Sequence, residues 1–486
     1  MQKNALLYLV LILLGACIVR LYRFDNPIAD WHSWRQADTS AVSRNFVQHG
    51  YDILHPRFDD ISNVPSGLDN PNGYRFVEFP IYNIAQAGLY QIFHGFTLEE
   101  WGRIVTILSS LLATLFLYLI VSNHLSKKAG LFTAFFYAFV PYNIYYGRTI
   151  LPDPSMVMAV LGGIYFFDLW LKKSEKRKAK NEKENSQLKN YLYLLISLLF
   201  TATACLLKPY ALFFCLPMGY LAWEVFGWSL FKKWQLWLVA ILTILPLVLW
   251  RQWISQYAEG IPANAWLLNG NGIRFRPAFF RWILYERLTK LISAYFGLIF
   301  LGYGIFQLRK SKSFFFFLSF LIASALYVIV FATGNVQHDY YQILISPSLA
   351  IFYGIGAYYL WERKNVTVKI AVVLVTIGMF YVGWMYVKDY FNINNRSIVV
   401  AGHVVDKLTP KNAKVIAPYD GDTSFLYQTN RRGWPSFEHS TEDLVKMGAT
   451  YLVFVNPTKQ EMTIGKKYKI VASSPQYILV NLKQKP

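Results

Sequence analysis

Apolar residues recur along this chain in about eleven blocks, each near the roughly 20 residues that a helix needs to cross a bilayer. The first runs from about Leu6 to Val19. Others follow at about 104–122, 130–147, 154–171, 191–207, 210–228, 235–250, 286–306, 314–332, 343–361 and 368–387. The first block has the outline of a signal peptide, and Gly15-Ala16-Cys17 hints at a lipobox. Ile18 to Tyr22 nevertheless continue its helical pattern, so the block reads as a retained first span. The expected fold is an all-α polytopic membrane protein of about eleven transmembrane helices.

The polar segments between blocks alternate in character. Lys127-Lys128, the run from Lys172 to Lys189, Lys232-Lys233, Arg309 to Lys312 and Arg363-Lys364 to Lys369 fall on one side, which the positive-inside rule makes cytoplasmic. The run 172–190 reads as a solvated loop that fixes orientation. Opposite lie a long loop from about 22 to 103, a turn around Asp153, a loop over 251–285, a turn around His338 and the tail. Composition agrees: 55% of residues are hydrophobic, 16% are charged and 18% aromatic. The net charge of +20 sits in short inter-span clusters, which argues against a nucleic-acid partner. Cys17, Cys205 and Cys215 lie inside apolar runs, so neither a disulfide framework nor a cysteine metal site is expected.

After about residue 390 the pattern changes. Ser397 to Leu408 has helical spacing, 413–420 reads as a strand, Thr441 to Met447 as a helix and 451–457 as a buried strand. YKIVAS and YILVNL then form a closing pair. Residues 391–486 are thus expected to form a small extracytoplasmic α/β domain after a membrane domain over 1–390.

Candidate chemistry concentrates in the first outer loop. ADWHSWRQADTSAVSRNFVQHG (29–50) crowds Asp30, His32, Arg35, Gln36 and Asp38 where the first helix ends. From Thr39 to Val47 the spacing turns helical, with Val42, Phe46 and Val47 on one face, as suits a helix in the interface plane. YRFVEFPIYNIAQAGLY (74–90) is a second amphipathic segment, with Glu78 just before Pro80. Sugar transfer needs a carboxylate to take the acceptor's proton and cations to stabilise a departing phosphate. Asp38 or Glu78 suits the first role; Arg35, Arg148, Lys208 and Arg276 suit the second. Each also has a plainer reading. Arg148 and Arg44 can cap helices or pair with acids, Lys208 can snorkel beside Pro209, and Asp153 can stabilise a helix N-terminus. His338, Asp339, Tyr340 and Tyr341 mark another outer turn, without a second histidine to suggest a metal.

WHSWRQADTSAVSRNF, EFPIY, GRTILPDPSM, KPYALFFCLP and HDYYQILISPSLA, in this order and on one side, give the chain a resemblance. It resembles the GT-C superfamily of polyprenyl-phosphate-sugar glycosyltransferases, near the bacterial relatives of protein O-mannosyltransferases and lipid A aminoarabinose transferases. The resemblance covers roughly 1–390. It implies catalytic roles for Asp38, Glu78 and Asp153, and places Lys208, His338 and Tyr341 near the donor phosphate, beside the cation candidates Arg35 and Arg148 named above. Relatives commonly show an Asp-Glu pair in the first motif where this chain has Arg35-Gln36, so Asp30 stays a rival to Asp38. The resemblance further implies a polyprenyl-phosphate monosaccharide donor, inversion at the anomeric carbon, no cofactor and no metal. The acceptor would be an envelope glycan, lipid or protein, and the location a bacterial inner membrane with the active site facing outward. Two other classes compete. An O-antigen-type polymerase or ligase would place Arg and His in a large late outer loop, and a lipid-linked glycan transporter would show internal repeats or interrupted midplane helices.

Overall fold

All eleven apolar blocks fall on helical backbone in the computed structural model, which describes residues 2–180 and 185–486. Fewer of them are unbroken than expected. Among the described residues six helical runs are long and apolar enough to cross a membrane, and a seventh counts if the pair Pro277–Ile292 and Gly297–Leu308, bent by 106°, is one span. Asn4–Arg20 and Phe314–Val330 are shorter apolar helices. The block expected at 130–147 breaks into Lys127–Phe139 and Pro141–Tyr146, because Pro141 lacks the N–H that would continue the ladder. The Tyr137 carbonyl, four residues back, accepts instead from the Asn143 side chain at 3.0 Å, and Arg20 braces the break. Its buried guanidinium donates to the carbonyls of Ala16, Ala138 and Asn143 at 3.0–3.1 Å. The 106° bend coincides with Ala294 and Tyr295, two non-glycine residues at positive φ. The middle of the charged run 172–190, residues 181–184, lies outside the described residues.

The chain divides into two compact units. The first comprises 1–22, 104–250 and 264–389 and contains most of the apolar helices. Within it Gly297–Leu308 and Ser346–Trp361 pack closely: a Cβ on Gly356 would sit 2.0 Å from the Phe300 carbonyl oxygen. Small residues that admit close backbone contact replace the hydrophobic drive that lipid does not supply.

The second unit comprises 23–103, 251–263 and 390–486. One of its limits falls at 389/390, and the long first loop clusters with the tail. Five strands, β1 (Lys414–Ile416), β2 (Arg432–Trp434), β3 (Tyr451–Val455), β4 (Lys469–Ser474) and β5 (Tyr477–Asn481), form a sheet in the order β2-β1-β3-β5-β4. β1 runs parallel to β2 and β3, and the β5 pairings are antiparallel. The expected helices appear as Arg396–Leu408 and Thr441–Lys446. On one face Ile398, Ala401 and Val405 pack on Val415, Val453 and Leu479; the other face buries Ile61, Ile416, Trp434, Leu444 and Leu452. Ile61 comes from the first loop, which extends the sheet at β2. Gly433 N–H donates to the Asp59 carbonyl and Ile61 N–H to the Gly433 carbonyl, both at 2.9 Å.

Ser33–His49 corrects the interface-helix expectation. Thirteen of its residues are buried, among them Arg35, Gln36, Asp38, Ser40, Ser43, Arg44 and Asn45. Val42 and Phe46 are buried, but they form no separate apolar face, and the polar side chains around them meet protein: Ile81–Ile92 packs on one side and the short tail helix Thr423–Gln428 on another. A polar face can be buried only if nearly every donor and acceptor on it finds a partner.

Candidate active site

Those partners define the cleft of the second unit. Arg35 reaches across to Glu78 at 2.6 Å, and Arg75 reaches Asp38 at the same distance, all four largely buried. The Thr423 hydroxyl donates to the other oxygen of Asp38 at 2.6 Å. Asn83 donates to the Thr39 carbonyl and to Ser43, while Gln86 links Ser40 and Ser43. One turn further along, Arg44 pairs with Asp59, donates to the Tyr427 carbonyl and lies 4.0 Å above the Tyr427 ring. Tyr427 in turn donates to Glu99 and shares a hydrogen bond with the Ser40 hydroxyl.

Between these groups is a small cleft of about 10 Å³, room for roughly one water, lined by Arg35, Asp38, Thr39, Arg75, Glu78 and Asn83, with Val42, Pro56, Val77 and Pro80 as its apolar wall. The arrangement is two carboxylates, each held by one arginine, around a small open space. A carboxylate oxygen has about two acceptor positions, so Asp38 keeps capacity for an incoming proton donor while Arg75 and Thr423 fix its plane. Asp30, the rival, is fully buried and accepts from Gln36 at 2.7 Å; it does not line the cleft. Nearby, burial pushes the carboxyls of Asp60 and Asp422 up, that of Asp60 to about 7.

The remaining candidates are in the first unit. Lys208 Nζ lies 3.7 Å from Asp153 in the first turn of Asp153–Lys180, and both side chains are nearly buried. The plain and the functional reading of Asp153 therefore coexist. Arg148 is fully buried and donates to the Tyr22 carbonyl, which makes a helix-end clamp of it. His338 is half-buried among the rings of Trp266, Tyr340 and Tyr341, with centroids 5.5–6.1 Å away. Tyr341 is buried, and Tyr327 donates to its carbonyl at 3.3 Å. Asp339 is more heavily bonded than its neighbour: Tyr146 donates to it at 2.5 Å and Arg287 lies 3.9 Å away. Arg276 is exposed.

Sequence reading missed Arg75, Thr423, Tyr427 and Asp59. Arg75 sits three residues before Glu78 in the quoted motif and was legible as a partner for a carboxylate. Thr423 and Tyr427 follow no motif and are nearly four hundred residues from their partners.

Residues 77–253 match the family described as dolichyl-phosphate-mannose-protein mannosyltransferase. No curated protein sequence matches the chain significantly. Among solved structures, ArnT from Cupriavidus metallidurans in the apo state is similar with a TM-score of 0.67 at 13% identity, covering 99% of both chains. The same protein bound to undecaprenyl phosphate matches at 0.65 and 13%, over 97% of each. The Archaeoglobus fulgidus oligosaccharyltransferase AglB, in complex with an inhibitory peptide and a dolichol-phosphate, matches at 0.57 and 12%, over 92% of this chain and 69% of that one. The family match over residues 77–253 and the whole-length likeness of fold to these glycosyltransferases agree with the motif order read from the sequence.

Proposed function

We propose that the protein transfers a monosaccharide from a polyprenyl-phosphate donor to an envelope glycan, lipid or protein on the outer face of a bacterial inner membrane. The observation that carries this reading is the cleft of the second unit, where Asp38 and Glu78 are each held by an arginine around open space. The lipid phosphates bound by ArnT and by AglB support the donor class. The charge asymmetry of the loops supports the orientation.

In this mechanism an acceptor hydroxyl or amine attacks the anomeric carbon and gives its proton to Asp38. The bond from that carbon to the phosphate oxygen breaks, and polyprenyl phosphate leaves with the electron pair. Inversion follows from attack opposite the leaving group. Glu78, with Arg35, orients the acceptor. Lys208, with His338, Tyr341 and Arg148, serves the phosphate, and Asp153 holds Lys208. Two features support a transferase over a transporter: the clustered carboxylates and the family segment.

Mass spectrometry of envelope glycans from cells carrying the parent chain or Asp38→Asn tests the reading. We expect one sugar substituent to disappear in the variant, as loss of a general base typically costs about 100- to 10,000-fold in rate. An unchanged glycan profile in Asp38→Asn overturns the assignment of the base. An unchanged profile on deletion of the whole gene overturns the transferase reading.

A further inference from the structure

The tail's short helix Thr423–Gln428 lies along the buried polar helix Ser33–His49 and presents two side chains to it, four residues apart on one face. Thr423 Oγ1 is 2.6 Å from Asp38 Oδ1 and 3.2 Å from the Trp34 carbonyl. Tyr427 donates to Glu99, and its oxygen lies 3.0 Å from the Ser40 hydroxyl. The helix is itself fixed in place: the Asp422 carboxylate accepts from Ser424 N–H at 2.7 Å, while Phe425 and Leu426 enter the tail's core. The Thr423 hydroxyl therefore rests on an anchored element, and a donor on such an element holds a carboxylate better than one on a free loop. Arg75 alone would hold Asp38 by one oxygen and leave the carboxylate free to turn about that bond.

We infer that the C-terminal tail braces the catalytic cleft from behind its lining, with Thr423 as a positioning residue that fixes the plane of the Asp38 carboxylate. The inference rests on the reading of Asp38 as the base. It gives the tail a role in the chemical step that its sequence, which has no motif, does not announce. A hydroxyl at 423 is what matters; a side chain of the same shape without one does not suffice.

The test uses the full chain in membranes from the producing cells, supplied with a panel of undecaprenyl-phosphate monosaccharides. Release of undecaprenyl phosphate is measured for the parent, Asp38→Asn, Thr423→Val and Thr423→Ser. Valine keeps the volume and branching of threonine. We expect Thr423→Val to lower kcat about 10- to 100-fold with KM for the donor unchanged, the range that misplacement of a reacting group produces. Thr423→Ser restores most of the rate, and the unfolding temperature of the two Thr423 variants stays near that of the parent. Inactive Asp38→Asn beside fully active Thr423→Val overturns the inference alone. The same holds if Ser fails to rescue, or if only KM moves. Active Asp38→Asn removes the reading of the base and the inference with it, as does a parent that turns over none of the panel.

Discussion

Asp60 carries a cost that pH can switch on and off. It lies where the first loop joins β2, is 1% exposed, and accepts from Ser62 N–H at 2.8 Å through one oxygen. Its second oxygen is buried with no hydrogen-bond partner among the described residues. Burial, reinforced by the charges of Asp38 and Glu438, lifts its carboxyl from the ordinary 3.8 to about 7. Below pH 4 folded and unfolded chains both hold the proton, and the site costs nothing extra. From there to about pH 7 the unfolded chain releases it while the folded chain keeps it, so stability falls across that window and then levels. At 1.36 kcal/mol per pH unit the loss is on the order of 4 kcal/mol. Asp60→Asn keeps the acceptor for Ser62 and never ionises. It should match the parent near pH 4 and exceed it above pH 7, by on the order of 10 °C at about 2–4 °C per kcal/mol for a unit of this size. Tryptophan fluorescence in detergent can follow unfolding from pH 4 to 9, since Trp434 on β2 is buried beside the junction. Parallel pH profiles for the two proteins, or an asparagine variant that is less stable at pH 8, would refute the reasoning.

Two further perturbations probe the same unit. Arg44→Met leaves Asp59 buried without its cation and should destabilise the unit by about 3–5 kcal/mol, with Asp59→Asn in the same chain recovering part of the loss; denaturant unfolding in a double-mutant cycle measures the coupling. Gly433→Ala would place a Cβ 1.7 Å from the Val415 carbonyl, so β1 and β2 would have to part. Faster proteolysis of the tail with the apolar helices left intact is the expected outcome, and unaltered proteolysis would show that the strand pair yields.

The apolar helices were legible because lipid imposes one simple demand, a run of apolar residues long enough to cross. Their interruptions were less so. Pro141 marks a break by its missing N–H, but Ala294 and Tyr295 at positive φ carry no sequence sign of the bend they make. In the tail, short unbroken apolar runs disclosed β3 and β5, while the three residues of β2 are too few for any period and contain Gly433.

The site was legible by residue and illegible by partner. Asp38, Glu78 and Arg35 stand in motifs and do line one cleft, yet Ser33–His49 looked like a helix half in water because its polar face is truly polar. Periodicity separates an apolar stripe from a polar one; it does not say whether the polar stripe meets solvent or other side chains. The answer depended on Arg75, Asn83 and Gln86 in the same loop and on Thr423 and Tyr427 in the tail. A density of charge and amide groups too high for a helix of its length was the available clue. Arg35, Gln36, Asp38, Arg44 and Asn45 on three turns make poor use of an interface, where aromatic and aliphatic groups gain most. They make good use of a dry cleft, where each hydrogen bond to a charge counts for more than it would in water and fixes one orientation.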